Sequence, residues 1–392
     1  MENGKFGGRE VVIVEAVRTP IGRGHEEKGY YKDTHPSTML AKSYNAVIER
    51  AGIEPSEVED VVAGCVQQFG EQGMNIGRNA WLEAGLPITT PATTVDRQCG
   101  SAQQAVNFSA ALIASGVHDV AIGGGVEHMG HISFADGMQV MSEHGSAMSG
   151  PLMERYNLVP QGISAEMIAD KWEIPRSELD EIGVRSHQLA AKATEEGRFE
   201  REIFPFQVNG DTYVTDQGIR PDTNLEALSQ LRTVFKEDGK VTAGNSSQIS
   251  DGAAAVLLMS REKADALGLK PRARIFDQTT VGVDPVLMLT GPIPATQKLL
   301  DRNGMKIDDI DLIEINEAFA SVLAAWRREH DPDMDRVNVN GGAIALGHPL
   351  GSTGARLITT LLHEMERTDK EMGLVTMCCG GGLGTGTLIE RI

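Results

Sequence analysis

Short apolar runs alternate along this chain with stretches whose apolar residues recur every three to four positions. Val11 to Val14 reads as a strand, Met39 to Ala51 as an amphipathic helix and Val61 to Val66 as a second strand, and the succession continues to Ile389. Apolar residues three to four apart line one face of a helix, whereas a short run of β-branched residues bounded by turn formers suits a buried strand. Strands separated by helices predict βα units, hence an α/β fold with a mostly parallel sheet.

The pattern also repeats. Val61-Val62-Ala63-Gly64-Cys65 has a counterpart in Leu312-Ile313-Glu314-Ile315-Asn316, the strand-turn-helix around Cys99 has one around His348, and Ile122-Gly123-Gly124-Gly125 has one in Cys379-Gly380-Gly381-Gly382. Three landmarks in one order at offsets of about 250 residues predict duplicated halves. Residues 1–127, completed by 241–270, form the first half and 271–392 the second. The intervening 128–240 differs in character, carrying Met138, Met141, Met148 and Met153 among glycines and polar residues. It reads as an inserted loop domain, whose adaptable methionines are candidates to line a pocket for a bulky apolar group.

Composition narrows the function. A net charge of −19 from 36 basic and 55 acidic residues repels nucleic acid and anionic membrane surfaces, so an anionic ligand must meet a local basic group. No run approaches the ~18 apolar residues of a spanning helix, and Met1 to Val11 lacks a signal-peptide core, which predicts an unexported, cytoplasmic protein. Four cysteines, at 65, 99, 378 and 379, are too few for a disulfide framework and suit a reducing compartment.

Four places carry candidate chemistry. Cys99 ends a short strand and precedes a helix closed by Gly116, so the helix N-terminus is expected to lower its thiol pKa. His348 sits in Gly347-His348-Pro349-Leu350-Gly351, where Pro349 biases it away from helical backbone and the glycines let other groups approach its ring. The spacing Gly342 to Gly347 is that of a phosphate loop, but His348-Pro349 stands where Lys-Ser/Thr is required. In Met377-Cys378-Cys379-Gly380-Gly381-Gly382, a strand running into a glycine turn, neighbouring cysteines point to opposite faces and at most one meets the site. Adjacent cysteines do not have zinc-site spacing, and no dinucleotide fingerprint passes through these glycines. Asn316, in Glu314-Ile315-Asn316-Glu317-Ala318-Phe319, lies at a strand-to-helix junction, placed either to hold a water or base or to cap the helix.

In order and context, Cys99-Gly100-Ser101, Asn316-Glu317-Ala318-Phe319, Gly347-His348-Pro349-Leu350-Gly351 and Cys378-x-Gly380-Gly381-Gly382 resemble the four active-site motifs of the thiolase family. Gly244-Asn245-Ser246-Ser247 followed by Asp251-Gly252-Ala253-Ala254-Ala255 resembles a fifth, so the likeness spans nearly the whole chain. It implies two five-stranded halves in an α-β-α-β-α sandwich with an inserted loop domain. It also implies an acyltransferase that cleaves 3-ketoacyl-CoA with CoA through an acyl-cysteine, working as a homodimer or homotetramer without metal or redox cofactor. By the same resemblance Cys99 is the nucleophile, His348 its base, Cys378 the acid/base and Asn316 the holder of a water beside His348. The amides of Cys99 and Gly380 form an oxyanion hole. Ser247 contacts pantetheine, Arg220 the CoA nucleotide, and Phe319 and Met153 the substrate.

One departure bears on substrate. Short-chain acetoacetyl-CoA thiolases usually carry His-Met before Gly-x-x-Ala-Glu, whereas here Pro160-Gln161 precede Gly162-Ile163-Ser164-Ala165-Glu166. Val337 to Leu350 and Ser246 to Val256 resemble degradative thiolases of sterol-catabolising bacteria, which points to a longer or polycyclic acyl chain. The alternatives are an acetyl-CoA acetyltransferase making acetoacetyl-CoA and a silent lipid carrier of the same fold, though such carriers usually lack Asn-Glu-Ala-Phe. A ketoacyl-ACP synthase would need histidines at Asn316 and Cys378, and an NAD-dependent dehydrogenase a nucleotide fingerprint.

Overall fold

The computed structural model describes residues 8–392. Residues 1–7, part of the first half and of the Met1 to Val11 stretch, lie outside the described residues. Nine strands dominate: β1 (Val11–Arg18), β2 (Asp60–Gly64), β3 (Ala92–Val95), β4 (Val120–His128), β5 (Ser250–Ser260), β6 (Ala273–Gly282), β7 (Leu312–Ile315), β8 (Met372–Cys379) and β9 (Leu383–Arg391). They run in the order β7-β8-β9-β6-β1-β5-β4-β2-β3, with the two-residue strand Gly22–Arg23 added beside β5.

The order is duplicated. In the first half β3-β2-β4-β5-β1 succeed one another, and in the second β7-β8-β9-β6 repeat the positions of β2-β4-β5-β1. The fifth place in the second half holds a single bridge, Ile313 to Val337, instead of a strand. Asn338 explains the shortfall: its backbone turns to φ 46°, and its carboxamide pairs with both Ile315 N and Ile315 O, where a strand's main chain would have run.

The sheet is mixed, which corrects the mostly parallel expectation. Only β2–β3, β2–β4 and β7–β8 are parallel, and the remaining main-sheet pairings are antiparallel. Parallel neighbours need a crossover helix, while β8 returns into β9 through a three-residue glycine turn that can only join antiparallel strands.

Helices complete five layers. Helix α1 (Pro36–Ala51) covers one outer face, its Met39, Leu40, Tyr44 and Val47 packing on Val12, Val61, Ile122 and Leu257. Helices α2 (Ser101–Ala114) and α8 (Thr353–Thr368) form the middle layer, with Ile13, Val256 and Leu258 from the first half and Ile275, Val375 and Ile389 from the second. Alternate residues of β5 thus serve two cores, Leu257 and Met259 outward, Val256 and Leu258 inward. Helices α6 (Pro292–Asn303) and α7 (Ala320–His330) cover the far face. From the insertion, α4 (Gln161–Lys171) and α5 (Arg176–Glu195) join that last core through Ala165, Ile168, Leu179 and Ile182, whereas α3 (Phe134–His144) buries no residue.

Close backbone approach sets where the halves meet. A Cβ on Gly125 would stand 2.0 Å from Gly351 O, and one on Gly64 2.7 Å from the same atom. Only glycine lets the loop carrying His348 rest against β2 and β4 of the other half. No helix among the described residues is long and apolar enough to cross a membrane.

Candidate active site

The C-terminal ends of β2, β3, β7 and β8 converge, the usual place for a site in layered α/β folds. From them run Cys65, Cys99, Asn316 and the Cys378 turn. Cys99 is held by a tight turn between β3 and α2, in which Gln98 takes φ 51°, a strained value for a side-chain-bearing residue. Ser101 fastens it, its Oγ donating to Gln98 O at 2.6 Å and accepting from Arg97 N at 2.9 Å. Cys99 and His348 line one cavity of about 570 Å³ together with Met129, Phe134, Phe235, Phe319 and Leu350.

His348 is set by its neighbours. Thr353 Oγ1 gives its single proton to Pro349 O at 2.8 Å, so at 2.7 Å it must accept from Nδ1–H of His348. The network thereby assigns the lone pair to Nε2, which faces Asn316 Nδ2 at 3.3 Å. His348 N donates to Ser250 Oγ at 3.1 Å, fixing the loop from below. Asn316 does not cap α7, whose N-cap is Phe319; the Asn316 Oδ1 is buried with no partner among the described residues, so it can accept a hydrogen bond from a water or ligand.

Burial overrides the helix end at Cys99. Desolvation pushes the thiol up to about 11, opposed by the backbone amides of Gly380 and of Cys99 itself and reinforced by Glu127 and Asp96. The expected lowering is therefore corrected. Two amides nearest the helix start are spent within the turn, Gly100 N on Arg97 O and Ser101 N on Gln98 O. Burial, and then Arg356, push His348 down to about 3, so the resting pair is thiol and neutral imidazole. Burial also lifts Cys378 well above the ordinary thiol range, with Cys99 and Cys379 adding to it. A thiolate absorbance that disappears in Cys99→Ala should consequently emerge only above pH about 10; a plateau already present at pH 7 would mean a preformed thiolate–imidazolium pair.

The two adjacent cysteines part company. Cys378 belongs to the outer core with Ala318 and Phe319, which line the cavity, while Cys379 Sγ lies 2.7 Å from where a Cβ of Gly100 would stand. Ser247 also lines the cavity, its N donating to Ala318 O at 3.0 Å. Phe319 meets Phe235 edge to face at 6.0 Å between ring centres. Arg220 is exposed outside the lining, its backbone N donating to His187 Nδ1 at 3.1 Å. Met153, 47% exposed, stands outside this lining. Of Met138, Met141, Met148 and Met153 only Met138 lines the cavity, because Phe134 and Met138, one helical turn apart, are the residues of α3 that border it.

Three supporting groups escaped the sequence reading. Thr353 is one. Glu127 accepts from Val66 N, Gln67 N, Gln72 Nε2 and Gly351 N at 2.8–3.0 Å, tying the Cys65 loop to the His348 loop. A carboxylate in an otherwise apolar strand was its signal. Glu317 receives Ser186 Oγ at 2.6 Å and Asn338 Nδ2 at 2.9 Å, bracing the glycine loop ahead of His348. Among the described residues no group of three or more His, Cys, Asp or Glu is placed to hold a metal ion.

Two family models match the chain, the thiolase N-terminal domain over residues 11–262 and the thiolase C-terminal domain over 269–391. A steroid 3-ketoacyl-CoA thiolase of Mycobacterium tuberculosis is 45% identical over 389 residues, covering 98% of this chain and 94% of the relative. A 3-ketoacyl-CoA thiolase of Acinetobacter baumannii is 47% identical over 394 residues, 98% of each chain. The crystal structure of the Bacillus anthracis acetyl-CoA acetyltransferase superposes with a TM-score of 0.89 at 37% identity, covering 99% of this chain and all of that one.

Proposed function

Because the chain belongs to the thiolase family, we propose that it is a 3-ketoacyl-CoA thiolase, cleaving 3-ketoacyl-CoA with CoA to acetyl-CoA and a shortened acyl-CoA. The observation that carries this reading is a buried Cys99 that shares one cavity with His348, whose Nδ1–H is held by Thr353 so that Nε2 keeps its lone pair. His348 Nε2 takes the Cys99 proton as the sulfur attacks the 3-keto carbon. The C2–C3 bond breaks, and the acetyl-CoA enolate, its oxygen near His348 and Asn316, takes a proton from the Cys378 thiol. Acyl-Cys99 remains with its carbonyl oxygen between the two amides. The CoA thiol then gives its proton to the Cys378 thiolate and attacks the acyl carbon, and His348 returns the first proton to the departing Cys99. Every proton is accounted for by the chain's own groups, with CoA as substrate and no cofactor.

The apolar lining from Met129, Phe134, Met138 and Phe235, with Pro160-Gln161 in the wall, supports acyl chains longer than four carbons, as in fatty acid or sterol degradation. Thiolysis measured across chain lengths should show a higher kcat/KM for these than for acetoacetyl-CoA. A preference for acetoacetyl-CoA would refute the chain-length reading, and no acetyl-CoA from any of them would refute the function. Arg220 and Ser247 are the proposed contacts to the CoA nucleotide and pantetheine. The outer edge of β3, unpaired among the described residues, and exposed Met74 nearby support a homodimer or a dimer of dimers. A cytoplasmic setting agrees with four free cysteines.

Thr353 should matter through His348 alone. Thr353→Val removes the acceptor of Nδ1–H and frees the ring to take the other tautomer, so kcat should fall roughly 10–100-fold while Thr353→Ser restores it. Equal activity of the valine variant would show that the tautomer is set elsewhere.

A further inference from the structure

Gln161 stands in the cavity wall where the mechanism has no use for it. It is the first residue of α4, partly buried, and its Nε2 would lie 2.7 Å from a Cβ on Gly380, whose amide acts on the Cys99 thiol. The other polar side chains of the lining are committed. Gln248 Nε2 donates to Gly218, Ile344 and Ala345 carbonyls at 2.9–3.0 Å, and Ser246 Oγ donates to Thr242 O at 2.8 Å. Cys99 and His348 are the reacting pair, and Ser247 is assigned to pantetheine. The Gln161 carboxamide makes no hydrogen bond within the described protein. The same lining includes the apolar side chains Met129, Phe134, Met138 and Leu350.

We infer that Gln161 selects 3-ketoacyl-CoAs whose retained acyl group carries a hydroxyl or carbonyl oxygen within its first few carbons; the inference rests on the thiolase reading above and refines its substrate. With the acyl carbonyl seated between the Cys99 and Gly380 amides, the following carbons pass the Gly380 Cα, against which the Gln161 nitrogen lies. A plain alkyl chain there strips water from the carboxamide and offers nothing in return, whereas an oxygen pairs with it. Sites that hydrogen-bond a substrate oxygen discriminate strongly against analogues lacking it, since the protein group is then left unpaired. The selected oxygen is neutral. Gln161 brings no positive charge, and Asp96, whose carboxylate acts on Cys99 and is touched by the Gln98 amide, repels an anion from this corner.

The test compares matched 3-ketoacyl-CoAs of one chain length, with and without a hydroxyl or keto group near the bond cleaved, on the wild type, Gln161→Met and Gln161→Leu. Thermal unfolding confirms that each variant is folded. The wild type should favour the oxygenated substrate in kcat/KM by about tenfold or more, and both variants should lose that ratio by losing the oxygenated substrate. An unchanged ratio would reduce Gln161 to packing, and an equal fall on both substrates would make it a third donor to the oxyanion; either overturns the inference while leaving the thiolase reading intact. Failure of the wild type to cleave any 3-ketoacyl-CoA would overturn that reading and the inference with it.

Discussion

Alanine at Cys99 should abolish acyl transfer while leaving the chain folded. Incubated with acetyl-CoA, the wild type is expected to gain one acetyl group per chain, mapped to Cys99, and Cys99→Ala none. Thiolysis should fall by at least about 10⁴-fold, because the remaining groups only bind and polarise the substrate. The other three cysteines do not substitute. Burial lifts Cys65, Cys378 and Cys379 above their ordinary range, and of the four only Cys99 lines the cavity beside His348. The cost to the fold is small, since the sulfur is a single buried atom at the cavity wall. Acetylation that persists in Cys99→Ala, read by intact mass and peptide mapping, would remove the nucleophile assignment.

Cys378→Ala should separate the two half-reactions. Acetyl-CoA should still acylate Cys99, because the Thr353–His348 arrangement that deprotonates it is untouched. Deuterium incorporation into the acetyl methyl group should collapse, and thiolysis with it, by the roughly 10²–10⁴-fold typical of a lost general acid/base. Cys379→Ala is the control. Its side chain lies on the opposite face of β8, against Gly100 and Thr385, so truncation leaves a small void beneath the Cys99 turn and spares proton transfer. Should Cys379→Ala lose exchange while Cys378→Ala keeps it, the roles of the two thiols would be interchanged.

What lay open in the sequence was what local pattern controls. Strand runs, helix periodicity and the repeat at about 250 residues predicted the duplicated layers, since each half must bury the same faces with the same spacing. Motif order drew attention to Cys99, Asn316, His348 and Cys378, and the period of two along β8 already separated the adjacent cysteines. Strand direction was less legible. The antiparallel return of β5 depends on how a chain re-enters the sheet after an insertion of more than a hundred residues, and no local pattern records that.

Tertiary structure decided the electrostatics and the supporting contacts. The sequence by itself determined that Cys99 precedes a helix and that His348 is followed by proline; each follows from residues a few positions apart. That the Cys99 thiol is raised rather than lowered follows from burial, which outweighs even the amide of Gly380, hundreds of residues away in the chain. The same holds for Glu127 reaching Gly351, for Met138 rather than Met153 lining the cavity, and for Gln161 standing beside Gly380. Desolvation and hydrogen-bond partners are properties of what surrounds an atom, and in a fold whose site lies between two halves those surroundings come from across the chain.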